Sequence, residues 1–421
     1  MNLDRLVAGL DIGSAKTTAI IAEVVGDLPK HPTVNILGVG QARTTGMRRG
    51  VVADIEETMR CINKALADAE QMAGAKVESV FCGIAGEHVQ AVNSKGIASV
   101  TGAEISRNDV ERANAVARAQ PIAQDRELIH AIPQEYTVDK NLGIRDPIGM
   151  IGTRLETEMY LVTIGSSPAM NLRKSVERAG YKVQELVLEP LAAALSVLTE
   201  DEKELGVALV EVGAGTTDLA VFHEGKIRHL GTIGYGGNNV SSDIVHGLGV
   251  TQTDAERLKE AYGCAYEPMV AHGEIIRLPS TVAQGDRQIP RELLAHIIHQ
   301  RTSEIYELAV RDIEEAGYLK RLAAGVVVTG GVGAMPGMAE LASEVFGVGA
   351  RIGVPGEFLG GLADSVQAPR FATSVGLVQY AAGRVAMGAL SGKGKRLSMS
   401  DATPTFAGFA GRIKTYLQDF F

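Results

Sequence analysis

The chain has 421 residues, 45% of them apolar, and a net charge of 41 − 50 = −9. That length predicts two or more domains with real cores, and the acidic balance gives the surface as a whole no electrostatic reason to bind nucleic acid. Three cysteines, Cys61, Cys82 and Cys264, lack Cys-x-x-Cys spacing, which fits a reducing cytoplasm and argues against structural zinc. Asp11 interrupts the first apolar run, so the N-terminus reads as neither a signal peptide nor a spanning helix, and any membrane contact should be peripheral.

Residues 6–25 and 33–41 predict a β-meander. Residues 7–12 are apolar apart from Asp11; Gly13-Ser14-Ala15-Lys16-Thr17-Thr18 follows, then the apolar run 19–22. A helix is expected over 54–72, where Ile55, Met59, Ile62, Leu66 and Ala69 recur at helical spacing, and a strand over 77–85. Residues 86–160 change texture. Short strands at 89–93 and 129–133, a helix around 108–119 and loops with Gly and Pro predict a small inserted domain. Buried strand character returns at 161–164, with helices at 168–179 and 191–198.

Residues 206–222 repeat the opening design. Residues 207–212 are apolar except for Glu211; Gly213 and Gly215 break the run, and 219–222 resumes it. Superimposing Gly13 on Gly213 puts Asp11 on Glu211 and Thr17 on Thr217. A strand–acid–glycine–strand unit that recurs half a chain later predicts two related domains facing one nucleotide. Further on, helices are expected at 254–262 and 291–316, with a polar, Pro-containing stretch at 264–290 between them. A buried strand at 326–328 runs into Thr329-Gly330-Gly331-Val332-Gly333, then a helix at 338–345. Residues 371–386 read as the last folded helix, 388–405 as a flexible linker, and 406–421 as a separate amphipathic stretch.

In an open α/β sheet, ligands sit at the carboxyl ends of strands, where all three glycine loops fall. Asp11 and Glu211 would hold Mg²⁺, mostly through its waters, unless they only cap turns. Lys16 would meet phosphate as a point charge. Glu256 and Lys259 lie three apart on one helix face, either as a surface ion pair or beside the ribose and base. His296 and His299 share that spacing, and a solvated helix face explains them better than a metal.

In the tail, Phe406, Phe409, Ile413, Tyr416, Leu417, Phe420 and Phe421 fall in an arc of about 140° on a helix of ~100° per residue. Arg412 and Lys414 flank the arc, as in an interfacial helix whose basic edges snorkel to headgroups. A core-packing helix would show the same stripe, but a tethered one has no obvious core to join.

Residues 9–20, 185–206, 208–222, 325–341 and 371–382 resemble, in order, the phosphate-1, connect-1, phosphate-2, adenosine and connect-2 segments of the actin, heat-shock-chaperone and sugar-kinase superfamily. Within it the chain resembles the FtsA family of bacterial cell-division proteins. That likeness rests on His130-Ala131-Ile132-Pro133-Gln134-Glu135-Tyr136 in the insert, on the run 196–206, and on the linker with its C-terminal amphipathic helix; it spans residues 6–421. It implies an α/β, actin-like (ribonuclease H-like) fold with duplicated domains around a nucleotide cleft, a small inserted α+β domain and a C-terminal amphipathic helix. The implied division is 1–84, 163–203 and 370–386 for the first subdomain, 85–162 for the insert, and 204–240 and 315–369 for the second subdomain. A lobe at 241–314, a linker at 387–405 and a membrane-targeting helix at 406–421 complete it.

The resemblance implies ATP contacts at Gly13, Ser14, Ala15, Lys16, Gly213, Gly215, Thr216, Thr217, Asp218, Gly236, Gly237, Glu256, Lys259, Gly330, Gly331 and Gly333. It implies Mg²⁺ at Asp11 and Glu211, and Glu189 as the acid that positions an attacking water. It also implies self-assembly into filaments, a C-terminal tail of the tubulin-like FtsZ bound on the 241–314 lobe, other division proteins as partners, and anionic lipid bound by Phe406, Phe409, Arg412, Ile413, Lys414, Leu417, Phe420 and Phe421 at the cytoplasmic face of the membrane. Arg287, Arg291 and Arg301 are reasonable contacts for an acidic tail, or part of an ordinary solvated helix. Two departures stand out: Glu211 where the family usually has Asp, and Ala214 where it usually has Gly. They put hydrolysis in question more than binding.

A sugar or small-molecule kinase on the same fold would need a sugar site with a general base and has no use for a lipid-binding tail. A chaperone ATPase would need a β-rich domain that the remaining length does not hold. An actin-like pilus-assembly adaptor shares the motifs and an insert, but the run 196–206 and the tail favour the division family.

Overall fold

The computed structural model describes residues 5–26, 32–278 and 287–390, with side chains to residue 388. The first half opens with β1 (Leu6–Ile12), β2 (Lys16–Val25) and β3 (Thr33–Arg43), then the hairpin β4 (Met47–Arg48) and β5 (Val51–Val52), helix α1 (Ile55–Ala73) and β6 (Ser79–Ile84). The insert follows: β7 (Gln90–Ser99), α2 (Arg107–Arg118), β8 (Arg126–Val138), β9 (Asn141–Ile144) and β10 (Arg154–Gly165). The chain returns through α3 (Ser166–Arg178), β11 (Lys182–Leu188), α4 (Glu189–Val197) and α5 (Glu200–Leu205). The second half holds β12 (Val207–Val212), β13 (Thr217–His223), β14 (Lys226–Ile233), α6 (Gly237–Leu248), α7 (Gln252–Tyr262), β15 (Ile275–Leu278), β16 (Arg287–Pro290), α8 (Arg291–Glu315), β17 (Val326–Thr329), α9 (Met338–Phe346), β18 (Ala350–Ile352), β19 (Leu359–Gly361) and α10 (Ala372–Leu390).

The two large sheets share one plan. The first runs β11-β6-β1-β2-β3-β19 and the second β14-β13-β12-β17-β18. In each, three antiparallel strands form a meander and two parallel strands extend it beside the first. The register repeats as well: Asp11 lies opposite Thr18, and Glu211 opposite Asp218. This is the actin-like α/β architecture that the resemblance implies. The insert is its own antiparallel sheet, β7-β10-β8-β9, with α2 packed on it.

Local chemistry sets the element ends. Asp54 caps α1 by accepting Glu57 N–H at 3.0 Å, and Gly74 closes it in the left-handed conformation. Ser106 and Asp109 form a capping box on α2, as Thr199 and Glu202 do on α5. A continuous apolar core runs under the second sheet from Ala208 and Val210 to Ile244, Leu258, Ile298 and Phe346. The first sheet is covered on one face by Ile62, Leu66 and Val176 and on the other by Val375 and Val378. The chain passes from the first half to the second through α4–α5 and returns between β18 and β19, after which α10 lies beside α4. A Cβ on Gly376 would fall 1.7 Å from Ala192 O, so only glycine allows this approach.

Several expectations shift. β11, α5, β14 and α6 had no counterpart in the predicted elements. Residues 264–290, read as a polar stretch, contain the β15–β16 hairpin and the buried Cys264, Val270, Ile276 and Ile289. The boundary placed after residue 240 cuts α6, and the one after 162 cuts β10. β19, assigned to the second subdomain, pairs with β3 in the first sheet. α10 continues to Leu390, past the linker start at 387. Residues 391–421, with the amphipathic stretch, lie outside the described residues.

Candidate nucleotide cleft

Three glycine loops meet between the halves and wall a cleft of about 550 Å³. The first two are copies. Gly13 N donates to Lys16 O at 3.1 Å, and Gly213 N to Thr216 O at 2.9 Å. A Cβ on Gly13 would approach Lys16 O to 3.0 Å, which is why the tight turn takes glycine. The third loop follows β17: Gly330 sits at φ +88, with its Cα against Val212 of the second loop's strand. α6 braces the second loop from behind, with Gly237 N on Gly213 O at 2.9 Å and Asn238 N on Ala214 O at 2.8 Å. Ala214 is not among the residues at positive φ, so its departure from glycine costs the backbone nothing.

The structure brings most of the expected residues to one wall. Asp11, Gly13, Ser14, Ala15, Lys16, Glu189, Glu211, Gly213, Gly215, Thr216, Asp218, Gly237, Glu256, Lys259, Gly330 and Gly331 all line the cleft. Three stand behind it. Thr217 is fully buried and donates to Tyr235 O at 3.0 Å, Gly236 N bonds Asn239 Oδ1, and Gly333 packs on Thr329. Glu256 and Lys259 are not a surface pair. Lys259 Nζ donates to Glu256 at 2.9 Å, Ser241 Oγ at 2.8 Å and Gly237 O at 3.1 Å, a network that ties α7 to the start of α6. The cleft also uses Thr18, Gln41, Gly50, Glu260, Met335, Pro336 and Arg370, which sequence reasoning missed.

Four carboxyls crowd the floor. Burial pushes Asp11 up to about 7, Glu211 to about 8 and Asp218 to about 6; Glu189 is also raised, by burial first and then by Asp11, Glu211 and Asp218. Hydroxyls oppose the shift at two of them. Thr373 at the start of α10 donates to Glu211 Oε1, and Thr216 and Thr232 donate to Asp218 at 3.0 and 2.7 Å. Glu211 Oε2 is buried without a partner. Such a group wants a cation. Among the described residues no three His, Cys, Asp or Glu side chains form a metal-holding group.

Other expected residues lie elsewhere. His296 Nδ1 meets Glu267 Oε2 at 2.9 Å and His299 Nδ1 meets Ala265 O at 3.0 Å, so the two serve separate structural contacts. Arg301 grips Asp243 at 2.5 and 3.1 Å and also binds Glu304. Arg291 donates to Tyr262 O at 3.0 Å and Glu274 at 2.6 Å, and Arg287 to Leu248 O at 2.8 Å. Each guanidinium braces its lobe, and any partner would have to share it. Among the described residues no helix is long and apolar enough to cross a membrane.

Comparison with known proteins agrees with this architecture. A family model described as "Cell division protein FtsA" matches residues 208–376, and one described as "SHS2 domain inserted in FTSA" matches residues 86–163. The cell division protein FtsA of Pseudomonas aeruginosa is 40% identical over 376 residues, covering 89% of each chain. Among solved structures, the PilM–PilN type IV pilus biogenesis complex has a chain that superposes with a TM-score of 0.62 at 16% identity, over 90% of this chain and 98% of that one. MreB5 of Spiroplasma citri bound to ADP gives 0.52 at 16% identity, over 92% and 99%. At such identities the structural matches speak to fold alone.

Proposed function

The chain belongs to the FtsA family of cell-division proteins, and from that membership we propose that it binds Mg·ATP in its cleft, polymerises, and anchors the FtsZ ring to the cytoplasmic face of the membrane at the division site while recruiting later division proteins. The observation that carries the nucleotide reading is the convergence of three glycine loops on one cleft above a floor of buried acids. The ADP bound in MreB5, a solved structure of similar fold, supports it.

The residues divide the work. Backbone N–H groups of the loops at 13–16 and 213–216, with Lys16, would hold the phosphate chain. Asp11 and Glu211 would hold Mg²⁺ through its waters, a role that fits the unpartnered Glu211 Oε2. Glu256, Lys259 and the third loop would face the nucleoside. Bound Mg²⁺ supplies positive charge that favours ionisation of the floor carboxyls. Glu189, at the first turn of α4 on that floor, would then orient a water for at most slow hydrolysis. The FtsZ tail would dock on the 241–314 lobe near Arg287, Arg291 and Arg301, and the 406–421 helix would bind anionic lipid weakly per copy, tightly in a polymer.

Isothermal titration calorimetry with ATP and Mg²⁺ tests the cleft. Lys16→Ala should weaken binding by about tenfold to a hundredfold, the loss of one charge-assisted contact. Equal affinity in both proteins would remove Lys16 from the phosphate site.

A further inference from the structure

The β4–β5 hairpin carries an unexpected residue at its tip. Met47 pairs with Val52 and Arg48 with Val51, leaving Arg49 and Gly50 as a two-residue loop. Their φ values are +46 and +75. Positive φ at both positions is the mark of a type I′ turn, where Asn-Gly is strongly favoured, because other L-residues resist the left-handed conformation. Arginine is therefore strained here, and nothing local compensates: its side chain is exposed, and no hydrogen bond or ion pair holds its guanidinium among the described residues. Strain of this kind points to function.

The position of the tip supplies the reason. A Cβ on Gly215 would stand 2.5 Å from Ser14 Oγ and 3.3 Å from Arg49 Cα, so the hairpin tip, the first loop and the second loop meet at one point. Gly50 lines the cleft with its Cα against Ala85 O. The stem is rigid: Thr44 N donates to Ala15 O at 2.9 Å, and Ala53 N and Asp54 N both donate to Gly46 O, at 2.8 and 3.0 Å. A braced stem thus holds the backbone of Arg49 where the two phosphate loops touch and leaves its side chain exposed.

We propose that Arg49 binds the terminal phosphate of a nucleoside triphosphate and so separates ATP from ADP. The inference rests on the nucleotide reading above. A polyphosphate entering the cleft meets the acids Asp11, Glu189, Glu211 and Asp218, and Lys259 is already occupied by Glu256, Ser241 and Gly237. Lys16 supplies one cation at the loops, and Arg370 lines the cleft as well. Arg49 supplies another, and its planar fork matches phosphate oxygens two at a time.

The test compares wild type, Arg49→Asn and Arg49→Lys in the full chain. Calorimetry measures binding of ADP and of a non-hydrolysable ATP analogue with Mg²⁺, and thermal unfolding without nucleotide measures the fold. Asparagine suits the turn, so Arg49→Asn should unfold no earlier than wild type. It should nonetheless lose about tenfold to a hundredfold in affinity for the ATP analogue while ADP affinity stays within about twofold. Arg49→Lys, which keeps the charge without the fork, should recover only part of the loss. Unchanged affinity for the ATP analogue in Arg49→Asn, or equal losses for both nucleotides, overturns the proposal. Arg49→Gly, which also relaxes the turn, repeats the comparison should the asparagine variant fold poorly. Wild type that binds neither nucleotide removes the cleft reading itself, and this inference with it.

Discussion

His130 Nε2 accepts the backbone N–H of Leu188 at 3.0 Å, immediately before Glu189. His130 lies on β8 of the insert, and Leu188 ends the strand that delivers Glu189 to the cleft floor. The imidazole must be neutral to accept this bond. Burial, aided by the charge of Arg384, lowers its pKa to about 4.

That shift gives the fold an acid-side dependence. Below about pH 6.5 the unfolded chain takes up a proton that the native imidazole refuses, so this contribution is complete above pH 6.5 and fades as pH falls through about 4. It is on the order of 3 kcal/mol at most. His130→Gln should lower stability at pH 7 and flatten its decline between pH 7 and 4.5, as urea denaturation at a series of pH values would read. A parallel decline in wild type and variant would separate His130 from the effect.

The floor acids predict the opposite slope. Glu211 titrates near 8 in the folded chain and close to its ordinary value when unfolded. Between those values the native state holds the extra proton, so the stabilisation is complete at low pH and is lost as pH rises through about 8. Glu211→Gln, without nucleotide, should therefore melt later than wild type at pH 8.5, by about 1 °C for each kcal/mol recovered. At pH 5 the two should melt together. A variant that melts earlier at pH 8.5 would show that the ionised carboxylate stabilises the floor.

The tail is tested by flotation. Phe409→Glu with Leu417→Glu should release the protein from anionic liposomes while leaving ATP affinity unchanged. Each large apolar side chain contributes about 1.5–3 kcal/mol on full burial, so two charges in the stripe remove most of a weak anchor. A double variant that still floats would place the tail on protein.

The glycine loops were legible in the sequence because the information is local: an apolar strand, an acid and a glycine within a few residues, written twice. Gln41, Gly50, Arg370 and Thr373 were not, because each reaches the cleft from a segment with no signature of its own. α6 escaped for a different reason. Gly237-Asn238-Asn239 opens it and Ser241-Ser242 continues it, all weak helix formers, while packing of Val240, Ile244 and Leu248 on the second-half core overrides that preference. Spacing alone left both a surface pair and a nucleoside contact open at Glu256 and Lys259, and the placement of α6 beside them makes them part of the cleft wall. The arginines at 287, 291 and 301 looked free because their partners, Leu248, Tyr262 and Asp243, lie 29 to 58 residues away.

Gly376 and Ala192 have a mechanical consequence. Here α4, at the first connection between the halves, is pinned to α10, by bare backbone at Gly376 and by Ser196 Oγ on Ala372 O at 2.7 Å. A methyl group at 376 would force the two helices apart, so the spacing at this joint is set by a side chain the chain does not have.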